Sequence, residues 1–257
     1  MQSKHYDAVN RCVYCGDTEG PFTDEHIIPL SLSGDLLLRA ASCGQCQDIT
    51  SALEAFCARS MFGPFRIRYG LKTRRPKKRP SELAVVRIEP DGRMSKTLVP
   101  ADGHPALLVM PQLPATPGVL IDSSPSDDLP GASAWAYIGN RNVLQGVAEG
   151  TRVGGTPFHP LSILRLVAKI AHCHTVGEVG LEGFKPYLQQ LILGRFAAPG
   201  HFIGSVSPAP SGPTDNLHEV FLSTTELHGK TYFVSTVRLF AQFGAPKYDV
   251  IVGEQCR

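Results

Sequence analysis

The sequence predicts an α+β protein in two units, a small metal-stapled N-terminal unit and a larger mixed domain with antiparallel strands and two helices. Three observations carry this expectation. Two Cys-x-x-Cys pairs, Cys12/Cys15 and Cys43/Cys46, are separated by 27 residues near the start of the chain. A basic run that ends at Pro80 follows them. Beyond it the pattern changes to short, often β-branched segments broken by Pro or Gly, the signature of strands and turns.

Residues 1–62 read as a turn-rich unit that ends in a helix. Ile49, Leu53, Phe56 and Cys57 recur at helical spacing after the second cysteine pair. Residues 63–80 read as a basic connector. In 81–257, the segments LAVVRI, SKTLVP, ALLVM, GVLID and AWAYIGN read as strands, and 123–133 as a loop. HPLSILRLVAKIAHCHTVGEVG is the clearest helix, with Leu161, Leu164, Val167, Ala168 and Ala171 on one face and Pro160 suited to its first turn. FKPYLQQLILGRF reads as a second helix. The chain closes on HEVFLSTTEL, TYFVSTVRLFAQF and YDVIVG, an expected meander with Gly244-Ala245-Pro246 turning the last pair.

Composition bounds the function classes. Hydrophobic residues make up 42% and charged residues 19%, enough apolar material for a real core. No apolar run approaches the roughly 18 residues of a membrane span. The polar start MQSKHYDAVNRC has no apolar leader segment, so a cytoplasmic, membrane-free protein is expected, with thiols kept reduced. Net charge is only +2, but it is unevenly placed: residues 1–80 hold 12 Lys/Arg against 8 Asp/Glu, and the remainder 13 against 15. The excess lies in FRIRYGLKTRRPKKRP. There Arg66, Arg68, Lys72, Arg74, Arg75, Lys77, Lys78 and Arg79 form a candidate nucleic-acid-binding stretch, or a solvated linker.

Zinc takes four soft or borderline ligands in a tetrahedron, and each Cys-x-x-Cys turn supplies two. Cys12, Cys15, Cys43 and Cys46 are therefore expected to hold structural zinc, a staple that a small unit with little core needs. A redox role fits less well, because neither pair precedes a βαβ unit. Zinc held by four thiolates is coordinatively closed and activates no water. Chemistry at the intervening Asp24-Glu25-His26 would thus need another ion.

The constellation CVYCG, TDEHIIPLSLSGDL and ASCGQC resembles the HNH endonucleases, of the subgroup whose ββα-metal core is pinned by a four-cysteine zinc. The resemblance covers about residues 10–60. It implies a hairpin carrying an acidic residue beside a histidine, crossed by the helix after the second knuckle. It implies Glu25 as the carboxylate ligand of a catalytic Mg²⁺ or Mn²⁺, His26 as the general base, and Asp35 near the place of a middle Asn that orients the histidine. Gln47 stands where the last His or Asn of the family is found, and Glu54, two turns on, is the alternative helix ligand. Asp24 reads as a turn residue, or one that supports a ligand from behind, rather than a ligand itself. The implied activity is metal-dependent hydrolysis of DNA phosphodiester bonds, in a phage-defence or restriction setting by analogy. Asp35 and Gln47 depart from the pattern, which keeps a catalytically inactive zinc-stapled nucleic-acid- or protein-binding module as the alternative.

Residues 81–257 resemble no family. Their length suits target choice, homo-oligomerisation or contact with a partner protein. His172 and His174 flank Cys173, but alternate helix residues point apart, and a pair near the helix end is the simpler reading. Cys57 and Cys173 read as buried small hydrophobes. Trp135 and Tyr137 suit core packing better than base stacking.

Overall fold

The structure, a computed structural model, describes residues 4–73, 75–126, 133–142, 145, 149–154, 157–206 and 212–256. Strands β1 (Lys4–Ala8), β2 (Phe22–His26) and β3 (Leu36–Cys43) form a sheet in the order β1-β3-β2. β3 runs parallel to β1 and antiparallel to β2. The turn between β2 and β3 is tight because residue 34 is glycine: a Cβ there would lie 2.1 Å from the Ile28 carbonyl oxygen. Helix α1 (Gly44–Phe56) starts directly after Cys43 and passes through a π-type turn, Cys57–Met61, into α2 (Gly63–Arg68). The ββα order expected from the motif is therefore present. Of the expected stripe, Leu53 and Cys57 are buried, whereas Phe56 is 39% exposed.

The remaining strands are β4 (Glu82–Ile88), β5 (Met94–Pro100), β6 (Leu108–Gln112), β7 (Ser133–Tyr137) and β8 (Arg152–Gly154). β5-β4-β8 form one antiparallel sheet and β6-β7 another. Then come α3 (Pro160–Val179), β9 (Phe184–Pro186), α4 (Gln189–Ile192), β10 (Ile203–Val206), β11 (His218–Leu227), β12 (Lys230–Leu239) and β13 (Lys247–Gln255). The last strands form the expected antiparallel meander, in the order β10-β13-β12-β11 with β9 also on β13.

Two elements differ from expectation. GVLID is a 3-10 turn over Gly118–Ile121, closed by Asp122 at φ 52°, rather than a strand. Its apolar residues are too few, and a turn between Pro117 and Asp122 wins. FKPYLQQLILGRF gives β9 and the one-turn α4 rather than a second long helix. Pro186 leaves no amide hydrogen for a helical bond, and Phe184–Pro186 pair with β13 instead. Within the expected loop at 123–133, residues 127–132 lie outside the described residues, as do 207–211.

Helix α3 joins the two halves. Its N-cap His159 accepts the Ser162 amide hydrogen at 3.2 Å, and Pro160 opens its first turn. Ile163, Leu164, Leu166, Val167, Ile170, Ala171 and Cys173 have no exposed surface, so the helix is buried on more than one face. Each fully buried aliphatic chain contributes about 1.5–3 kcal/mol relative to exposure, which makes this helix a principal source of stability. One contiguous core runs from Tyr6, Tyr14 and Ile27 through α3 to Val237 and Val250. Buried contacts therefore cross the boundary that the sequence suggests at residues 62–80. His172, fully buried in α3, donates to the Val13 carbonyl at 2.8 Å, beside the first cysteine knuckle. It is a buried tie rather than a helix-end residue, and burial pushes its pKa down to about 4.

Candidate functional site: a four-cysteine cluster and the His26 cleft

The first knuckle is shaped by its backbone. The Gly16 amide donates to the Cys12 carbonyl at 2.9 Å and the Cys12 amide to the Asp17 carbonyl at 2.8 Å, with Gly16 at φ +80°. The second knuckle is the start of α1, with Cys43 at its N-cap and Cys46 in its first turn. β3 delivers this helix start to the first knuckle. All four sulfur atoms then lie within 4.8 Å of one another, and the Cys15 and Cys43 sulfurs are 3.7 Å apart. A tetrahedron with Zn–S bonds of 2.3 Å has edges of about 3.8 Å. None of the seven cysteines is in a disulfide.

The electrostatics agree. Burial would raise the Cys12 thiol, but backbone N–H groups of Cys43, Cys15 and Tyr14 aimed at its sulfur hold it below its usual value. Burial and the neighbouring Cys12 charge push Cys46 up. Four such sulfurs cannot all ionise without a cation among them, and a divalent metal reverses that penalty. The set fits zinc by geometry and by donor chemistry. Among the described residues this is the one group of three or more His, Cys, Asp or Glu side chains placed to share a metal ion.

The acid–His stretch lies on β2. Between Thr23 and Glu25 the pairing with β3 shifts, and the Asp24 carboxylate accepts the Ala40 amide hydrogen at 3.0 Å across the irregularity. Asp24 thus ties β2 to β3 from within the strand rather than from a turn. The shift sets which face each following side chain takes, since strand residues alternate. Glu25 turns inward and is 6% exposed. His26 is half-buried and lines an open cleft of about 550 Å³, together with Ser51 and Glu54 of α1 and Arg59, Arg66 and Arg75.

Inside, Glu25 meets Lys169 of α3. The Lys169 ammonium lies 2.6 Å from a Glu25 carboxylate oxygen and 2.8 Å from one of Glu54. It also donates to the main-chain oxygens of His26 and, at 3.3 Å, of Ile27. Lys169 is fully buried. Burial alone would lower its pKa, but the Glu25 and Glu54 charges outweigh that and raise it, so it stays an ammonium ion.

The other expected site residues are dispersed. Asp35, at the end of the β2–β3 connection, forms an ion pair with Lys72. Gln47, half-buried on α1, is not among the described residues lining the cleft, and its main-chain carbonyl accepts the Thr50 hydroxyl at 3.3 Å. The basic run divides in two. Arg66 donates to the main-chain oxygens of Ser31, Ala58 and Lys72, Arg68 to those of Asp102, His104 and Gly139, and Arg79 to that of Leu71. These guanidinium groups tie loops together. Arg75, Lys77 and Lys78 are exposed, and Arg74 lies outside the described residues. Burial, and then the nearby charges of Arg79 and Arg59, lower the Arg66 pKa, which marks a crowd of like charge at the cleft wall.

Sequence reasoning missed two residues. Arg59 falls just past the helix stripe and before the basic run. Lys169 is the lone charge in LVAKIAHC, a signal that a buried helix carries a cation with a fixed partner. A second cleft, of about 570 Å³, lies between β1 and the end of α3, but its Lys4 and Tyr6, together with the buried His174 behind them, already converge on Glu178. Among the described residues no helix is long and apolar enough to cross a membrane. Comparison with protein-family models, with curated proteins and with solved structures returns no match, so no family is assigned to the chain.

Proposed function

We propose that this protein is an HNH-like endonuclease that hydrolyses phosphodiester bonds of DNA in the His26 cleft. The observation that carries the reading is the placing of His26 in one cleft with Arg59, Arg66 and Arg75, beside a four-cysteine cluster on a ββα frame. In the reaction, neutral His26 takes a proton from water as the oxygen attacks phosphorus. The P–O bond to the leaving 3′ oxygen breaks, and that oxygen acquires a proton from solvent. The exposed Arg59 and Arg75 hold the phosphate and meet the charge that develops on its oxygens.

The resemblance also calls for Mg²⁺ or Mn²⁺ on Glu25, completed by Gln47 or Glu54. That donor set does not fit as arranged. Glu25 and Glu54 both face the Lys169 ammonium, and Gln47 stands off the cleft. No step here runs through such an ion.

The test is nicking of supercoiled plasmid by zinc-loaded full-length chain. His26→Ala should lower the rate by about 10²–10⁴-fold, the usual contribution of a general base. Cutting by His26→Ala at the wild-type rate overturns the reading. The buried Glu25–Lys169–Glu54 cluster favours a second one, a zinc-stapled module that binds nucleic acid without cutting it. Salt-dependent DNA binding with no nicking under any metal condition would select that alternative.

A further inference from the structure

We infer that Lys169 is the resident cation of the acid–His site, occupying the place between Glu25 and Glu54 that a divalent ion would otherwise take. The inference concerns the same cleft as the nuclease reading but rests on the geometry of the cluster alone.

Four oxygens surround the Lys169 nitrogen. Two are carboxylate oxygens at 2.6 and 2.8 Å, and two are the main-chain oxygens of His26 and Ile27. They come from β2 and the residue after it, and from α1, the same elements that the ββα resemblance assigns to a catalytic metal. An all-oxygen shell of this kind suits a hard cation. Here the cation is covalently part of α3, far along the chain. Lys169 has no exposed surface, and its helix neighbours Leu166, Ile170 and Cys173 have none either. The ammonium is therefore enclosed, and a metal ion approaching the same two carboxylates would meet a positive charge already bound to both. Occupation by the lysine and by a divalent ion are mutually exclusive. The lysine also ties the main chain at His26.

The test is a Mn²⁺ titration of the zinc-loaded full-length chain, read by water-proton relaxation. Mn²⁺ prefers oxygen ligands, whereas the four thiolates favour zinc, so the cysteine cluster does not compete for it. Wild type and Lys169→Arg should take up no Mn²⁺ tightly. Lys169→Met, which leaves both carboxylates without a partner, should gain one equivalent, and Lys169→Met/Glu25→Gln should lose it again. Charge, not packing, separates the Arg and Met variants. One tight Mn²⁺ in the wild-type chain, lost in Glu25→Gln, overturns the inference, as does a folded Lys169→Met that gains none. If Lys169→Met does not fold, the wild-type and Glu25→Gln titrations decide alone. DNA cleavage plays no part in this readout, so the nuclease reading and the inference fail separately.

Discussion

The four-cysteine cluster and the Glu25–Glu54 cluster stand on the same β2–β3–α1 frame, yet they balance charge in opposite ways. The sulfurs are surrounded by one another and by backbone N–H groups, and their neighbours push Cys46 toward the neutral thiol. None of these groups carries a positive charge, so full ionisation calls for a metal from outside. The carboxylates are given their cation by α3, in the form of Lys169 at 2.6 and 2.8 Å. The difference teaches that donor-rich clusters are told apart by who supplies the cation, not by the donors alone. A motif that reads as a metal site from one segment can be filled by a side chain from another.

The largest effect should come from the cysteine side. Zinc binding to structural sites is worth about 10–16 kcal/mol in small peptides, as much as the 5–15 kcal/mol of a whole domain. Because Val13 and Tyr14 of this knuckle pack into the α3 core, Cys43→Ser or a strong chelator should destabilise α3 as well. Far-ultraviolet circular dichroism should show one cooperative transition at greatly lowered temperature. An unchanged melting temperature would remove the staple from the account.

Next comes the carboxylate side. Lys169→Met leaves the buried Glu25 and the part-exposed Glu54 unpaired and should cost about 3–5 kcal/mol in urea unfolding. Adding Glu25→Gln and Glu54→Gln to Lys169→Met should recover most of the loss. If the single variant is as stable as wild type, the buried ion pairs contribute nothing and the comparison collapses.

A smaller effect is set by two buried histidines that brace the frame of both clusters from outside, His172 of α3 on the Val13 carbonyl and His218 of β11 on the Leu32 carbonyl. Burial lowers His172 and His218 to about 4. In the unfolded chain each titrates near 6.5, so between these values the unfolded state binds more protons. Their contribution is present above about pH 6.5 and is lost as pH falls toward 4, by at most about 1.4 kcal/mol per pH unit for each. His218→Gln should flatten the urea midpoint against pH in that window. An equal slope would mean that His218 is not held neutral.

The smallest effect sharpens the cleft itself. Arg59→Ala with Arg75→Ala should lower the slope of log K against log salt for duplex DNA by about 0.9 per lost phosphate contact, without changing the melting temperature. Arg68→Ala, which removes ties to Asp102 and His104, should do the reverse. Equal binding slopes in all variants would place the DNA contact elsewhere.

Much of this was legible in local sequence. The two knuckles are spaced so that a single hairpin unites them, and the Pro160 start and apolar run define α3 with almost no ambiguity. What could not be read was contact between distant segments. The pairing of Lys169 with Glu25 spans more than half the chain, and no spacing rule links them. The basic run misled in part for the same reason: Arg66, Arg68 and Arg79 look like solvent-exposed Arg75 in sequence, but main-chain carbonyls, several of them distant in the chain, accept their hydrogen bonds. Helix periodicity in 184–196 lost to pairing with β13, a partner about seventy residues further on.

The contrast between the two clusters is tested most directly by native mass spectrometry of the full-length chain purified with zinc and exchanged into Mn²⁺. The account predicts one zinc and no second divalent ion on wild type, with the zinc unaffected by Glu25→Gln and lost in Cys43→Ser. A chain without zinc whose four cysteines have paired as disulfides would contradict it, and so would a second bound metal that disappears with Glu25→Gln.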